Sequence, residues 1–201
     1  MSQDDQDDQD ALDGLEMTGS QTVGPFFRIG LEPLFLPVVA GPEVRGEHVT
    51  VRGRVLDGDG QPVPDAVIET WQADADGHYA DPASAPTPGA GTGFTGFGRA
   101  PTDDEGRFSL ATILPGRVAG PDGALQAPHL VALVFMRGLL RHLVTRVYFP
   151  AGPGLADDPV LALVPAERRA TLIARPVAGE PGVFEWDIHL QGADETVFFD
   201  A

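Results

Sequence analysis

Neither cysteine nor lysine occurs in this chain of 201 residues. The first absence excludes thiol nucleophiles, thiolate metal sites and disulfides. The second excludes Schiff-base and lysine-nucleophile chemistry, and it leaves all 13 cationic side chains as arginine. Positive charge is scarce altogether. With a formal net charge of −17 and no basic cluster, a nucleic-acid partner is excluded. No apolar run approaches membrane-spanning length, and the first residues are acidic where a secretory leader is basic and then apolar. The expectation is a soluble, cytoplasmic chain without membrane contact. A phosphate loop with its lysine, a G-x-S-x-G elbow, an H-E-x-x-H pair and a dinucleotide fingerprint are all missing as well.

What is abundant is punctuation. Twenty-five glycines and 19 prolines divide short apolar runs throughout, the pattern of an all-β sandwich or barrel with little helix. Residues 1–16 are almost devoid of apolar side chains and dense in acids, so they are expected to be a disordered tail. Residues 17–47 read as an arm and linker, in which Gly24-Pro25 sets a bend beside Phe26 and Phe27. Residues 48–201 read as the sandwich domain, with long loops and one short helix starting near Pro165.

Within that domain VTVRGRV puts Val49, Val51 and Val55 on one face and Thr50, Arg52 and Arg54 on the other. AVIETWQA follows as a second strand. VFEWDIHL alternates with Phe184, Trp186, Ile188 and Leu190 inward, and ETVFFDA reads as a last strand. The loop spanning 74–98 is long enough to be functional or mobile.

The chain is organised around residues 126–150, QAPHLVALVFMRGLLRHLVTRVYFP, read as two apolar strands buried on both faces and joined at an Arg-Gly turn. His129 stands at the entrance. Two ligands from one strand must sit at i and i+2 to share a face, and the residue two after His129 is Val131. By position alone, therefore, His129 reads as a buried histidine satisfied by hydrogen bonds.

SQTVGPFFRIGL, GRVLDGDGQPVPDAVIETWQADADGHY, FGRAPTDDEGRFSLATILPG, APHLVALVFMRGLLRHLVTRVYF and the terminal ETVFFD, in that order, resemble the intradiol ring-cleaving dioxygenases. The resemblance implies a mixed β-sandwich of the non-catalytic alpha type. Such a chain pairs with a homologous beta chain in a higher-order alpha–beta oligomer. The complex opens protocatechuate with O2 between its hydroxyl-bearing carbons, giving a carboxymuconate in the beta-ketoadipate pathway of aromatic-compound catabolism.

In catalytic chains of the family two tyrosines and two histidines hold a non-haem ferric iron. The matching positions here are Tyr79, Val118, His129 and Val131, and the family's catalytic arginine falls on Gln126. The resemblance thus implies no metal and no catalytic residue in this chain, with Fe(III) in the partner beta chain. It further implies that Thr22, Gly24 and Pro25 of the arm, together with Arg137, line the partner's substrate pocket, a guanidinium being suited to a carboxylate. Arg99 and Arg146 are expected to be ion-paired scaffold residues. The strand–loop–strand segment GRVLDGDGQPVPDAVIETW would serve equally well in a transthyretin-like binding or carrier module with no catalytic partner, and that alternative stays open at this point.

Overall fold

The computed structural model describes residues 18–80, 93–120, 123–150 and 152–200. The tail at 1–16 and residues 81–92 of the long loop lie outside the described residues. Strands β1 (His48–Leu56), β2 (Val67–Trp71), β3 (Phe97–Pro101), β4 (Arg107–Ile113), β5 (Val118–Ala119) and β6 (Leu125–Gln126) are followed by β7 (His129–Phe135), β8 (Leu143–Tyr148), β9 (Arg175–Pro176), β10 (Val183–Glu185) and β11 (Ile188–His189).

One sheet is built on β1, which pairs antiparallel with β4 and parallel with β10 and β11; β9 closes its edge against β10. The second is antiparallel throughout, in the order β3-β2-β7-β8. Together they form the expected β-sandwich. No helix among the described residues is long and apolar enough to cross a membrane.

The alternation along β1 is as the sequence implies: Val49, Val51 and Val55 are buried. Gly53 is buried on the same face, and a Cβ there would lie 1.8 Å from the Trp186 carbonyl oxygen. Glycine thus lets the 183–189 segment approach β1 closely, and that segment is split between β10 and β11 at Trp186 and Asp187. Between the sheets Val51, Phe108, Leu110, Trp186 and Ile188 meet Ile68, Ala100, Leu130, Ala132, Val134 and Val147. Phe149 and Phe184 contribute an edge-on ring pair 5.1 Å apart.

Four expectations are corrected. β7 is buried fully on one face only: Leu130, Ala132 and Val134 enter the core, while Val131, Leu133 and Phe135 are half-buried on the other. The turn after it is a seven-residue connection, with Gly138 at φ 94°. The helix after Pro165 is a 3-10 helix, Ala166–Leu172, preceded by Pro165. The terminal ETVFFDA forms no strand; Phe199 makes a single bridge to Val144.

A short helix the sequence reading did not anticipate, α1 (Phe26–Leu31), follows Pro25. Six residues are too few for a periodic signal. The outer face of β8 is covered by a second apolar cluster of Ala127, Tyr148, Leu161, Val164, Leu172 and Val197. That cover explains why an edge strand reads as apolar on both faces.

Candidate functional site

The eight residues singled out for function fall at two ends of β7. His129 opens that strand and Arg137 lies just beyond it. At ~3.3 Å per residue the two are about 20 Å or more apart.

At the first end, His129 is buried and its Nδ1 lies 2.8 Å from the Ala127 carbonyl oxygen. A carbonyl can only accept, so Nδ1 carries the proton and Nε2 the lone pair. The ring packs on Tyr148 with centroids 5.6 Å apart. Tyr148 is itself buried, and burial pushes its phenol up to about 12 against the opposing pull of Arg146. Its hydroxyl donates to Asp158 Oδ1 at 3.1 Å.

Arg146 makes no ion pair among the described residues, unlike Arg99, whose Nε donates to Glu69 at 2.7 Å. Instead its Nη1 donates to Gln126 Oε1 at 2.6 Å and lies 3.4 Å from the Tyr148 hydroxyl. Val131 stands across from Arg146 in the β7–β8 register, and Val118 across from Gln126 in the β5–β6 ribbon. Tyr79 sits at the rim, 41% exposed; partial burial raises its phenol, and Arg146 opposes the rise.

A ferric ion requires hard anionic oxygen donors beside imidazole. The four positions offer one neutral phenol, one imidazole, two valines and an adjoining guanidinium, and this set does not fit the metal.

Burial, and then the Arg146 charge, hold the His129 imidazole below its ordinary value, while the Ala127 hydrogen bond pulls the other way. The unfolded chain therefore takes up a proton at about pH 6.5 that the folded chain resists. Stability present above that pH is lost as pH falls below it. The urea midpoint of the wild type is expected to fall more steeply below about pH 6.5 than that of His129→Gln. Parallel profiles would remove His129 as the cause.

At the other end the arm is pinned to the hairpin bend. Thr22 Oγ1 accepts from the Gly138 N–H at 2.7 Å. Gly24 and Pro25 turn the chain into α1, and Phe27 packs against Phe135, which in turn packs against His142. The structure thus brings Thr22, with its neighbours Gly24 and Pro25, to Arg137, and separates them from Tyr79, Val118, His129 and Val131. A Cβ built at Gly24 would meet nothing within 4 Å, so the bare backbone faces open space.

Arg137 Nε lies 3.0 Å from Asp65 Oδ2, an ion contact rather than an aligned hydrogen bond, since both Asp65 oxygens are buried without a hydrogen-bond donor. Its side chain is 59% exposed, and among the described residues no hydrogen bond engages its terminal nitrogens. Phe26, Ile29 and Leu140 leave apolar surface exposed on the arm and the bend.

Asp65 and Asp158 escaped the sequence reading, and Arg146, expected to be ion-paired, instead meets the neutral Gln126 and Tyr148. Only the hairpin register, which fixes what stands opposite Val131, could have pointed to Arg146. Elsewhere Asp74, Asp76 and His78 gather within 4.8 Å. They form an exposed turn in which Asp74 Oδ1 accepts the Asp76 and His78 N–H groups and Arg45 pairs with Asp76.

A family profile described as "Dioxygenase" matches residues 37–192. The chain is 49% identical over 200 residues to the protocatechuate 3,4-dioxygenase alpha chain of Burkholderia cepacia, covering 92% of this chain and 98% of that one. It is 36% identical over 187 residues to the beta chain of that enzyme from the same organism, covering 89% and 77%. Among solved structures it is similar to the dioxygenase domain of a dioxygenase carbohydrate-binding fusion from Streptomyces sp. SirexAA-E. There the TM-score is 0.59 at 22% identity, with 92% of this chain and 95% of that one covered. The sandwich, the ordered segments and these likenesses agree: the chain belongs to the intradiol ring-cleaving dioxygenase family.

Proposed function

We propose that this chain is the alpha subunit of a protocatechuate 3,4-dioxygenase, iron-free itself and completing the substrate pocket of a homologous, iron-bearing beta chain. The observation that carries this reading is the division along β7. One end has valines at 118 and 131 where metal donors would be needed; the other presents Thr22, Gly24, Pro25 and Arg137 together at an exposed bend.

In this reading Arg137 receives the substrate carboxylate. Its Nε is occupied by Asp65, which aims the side chain, and its terminal nitrogens form the fork that suits a carboxylate. The turn at Gly24-Pro25 supplies a rigid wall against the ring, and the apolar arm excludes water by packing on the partner. Iron chemistry belongs to the partner, and no step of it passes through Tyr79 or His129. The setting is the cytoplasm, in a higher-order alpha–beta oligomer.

Full chain purified alone should be colourless, iron-free and inactive. Co-expressed with its beta chain it should give a coloured complex that consumes O2 with protocatechuate. Stoichiometric iron and ring cleavage by the chain alone would overturn the reading.

A further inference from the structure

Missing donors are only part of what distinguishes the His129 end of β7. Arg146 stands directly across from Val131, with the close side-chain spacing of an opposed antiparallel pair. Its Nη1 is bonded to Gln126, the register partner of Val118. The same nitrogen reaches the Tyr148 hydroxyl, and the Tyr148 ring lies on His129. Its charge is felt at both Tyr79 and His129. One guanidinium therefore stands across from Val131 and is joined, through Gln126 and Tyr148, to the neighbours of Val118 and His129.

We propose that Arg146 is a built-in cation standing in for the metal. It holds the acceptors Gln126 Oε1 and Tyr148 Oη together, and it closes the site to ferric iron by like charge even where donors are supplied. Arginine suits this task because it keeps its charge in any protein environment and offers five N–H donors in a fixed fork. A trivalent ion set beside it in a largely buried place meets repulsion that solvent screens poorly. The alternation of β8 puts Arg146 and Tyr148 on the same face as His129 and Val131, so the guanidinium has no competing position in the sandwich core.

The proposal rests on the reading of this chain as iron-free, and it adds a consequence that missing donors alone do not carry. Restoring the donors should not restore the metal. Four forms of the full chain, expressed without partner so that no other iron contributes, test this. They are the wild type; Val118→Tyr with Val131→His; and that pair combined with either Arg146→Gln or Arg146→Lys.

Each form is checked for fold by circular dichroism and loaded with ferrous iron in air. Bound iron per chain and the visible tyrosinate-to-iron band are then measured. The Arg146→Gln form is expected to bind at least tenfold more iron than the paired variant, and the Arg146→Lys form, which keeps the charge, to stay as empty as that variant. Equal loading of the paired and Arg146→Gln forms, whether both full or both empty, overturns the proposal, as does loading of the Arg146→Lys form. Should Arg146→Gln fail to fold, Arg146→Met in the same background carries the comparison under the same criterion. Stoichiometric iron in the wild type would instead overturn the iron-free reading itself.

Discussion

In the alpha–beta complex, Arg137→Ala is expected to lower kcat/KM for protocatechuate by about tenfold to a hundredfold, the equivalent of the ~1.5–3 kcal/mol carried by a charged hydrogen bond. The loss should nearly vanish for catechol, which has the same hydroxyls and no carboxylate. Stability should fall by about 1–3 kcal/mol at most, because Arg137 is itself 59% exposed but its loss leaves both buried Asp65 oxygens without their ion partner. Arg137→Lys should recover part of the activity, since a point charge replaces the planar fork. Steady-state kinetics on the two substrates decide the matter: equal losses on protocatechuate and catechol would show that Arg137 supports the fold of the bend and does not meet the carboxylate.

Asp158→Ala is expected to give the largest loss of stability. Asp158 is 1% exposed and serves four donors. Oδ2 accepts the Ala127 N–H at 2.7 Å, while Oδ1 accepts the Tyr148 hydroxyl at 3.1 Å and the N–H groups of Val160 and Leu161 at 3.0 and 2.7 Å. Alanine would leave these donors without a partner beneath the second apolar cluster, and each such orphan costs about 1–3 kcal/mol before relaxation.

A net loss of ~3–5 kcal/mol follows, which lowers Tm by about 6–20 °C in a chain of this size. Thermal unfolding measures it directly, and a loss within about 1 kcal/mol, the size of an ordinary helix cap, would mean that water replaces the carboxylate. Asp158→Asn, which keeps one acceptor oxygen, should fall between the two.

Much of the scaffold was legible because strand patterns are local. Val49, Val51 and Val55 announce the buried face of β1 in the sequence, and they are buried in the fold. The apolar run after His129 announces β7 in the same way. The terminal VFFD misled because an aromatic pair can be held without a ladder: Phe198 packs on the core and Phe199 bridges Val144 alone. Pro25 and Phe26 misled in the other direction, since a single helical turn leaves no periodicity to detect.

Arg146 could not be read as more than a scaffold cation, because its partner is chosen by register. A hairpin connection of any other length would have set a different residue across from Val131. Thr22 was suspected from resemblance, but its hydrogen bond to Gly138 joins positions 116 residues apart in the chain.

By itself, then, the sequence determined the β-sandwich, the exclusion of thiol and lysine chemistry, the valines where donors would be required, and the family. These follow from residue type and short-range alternation, which no later event in folding alters. Only the tertiary structure decided that the two groups of candidate residues lie at opposite ends of β7, that the arm is tied to the bend at Gly138, and that a guanidinium stands across from Val131, bonded to Gln126 and beside the Tyr148 hydroxyl. The physical reason is that pairing register and the docking of distant segments are set by contacts between the sheets and across the β7–β8 hairpin, and a one-residue change of register would have turned Arg146 to the opposite face.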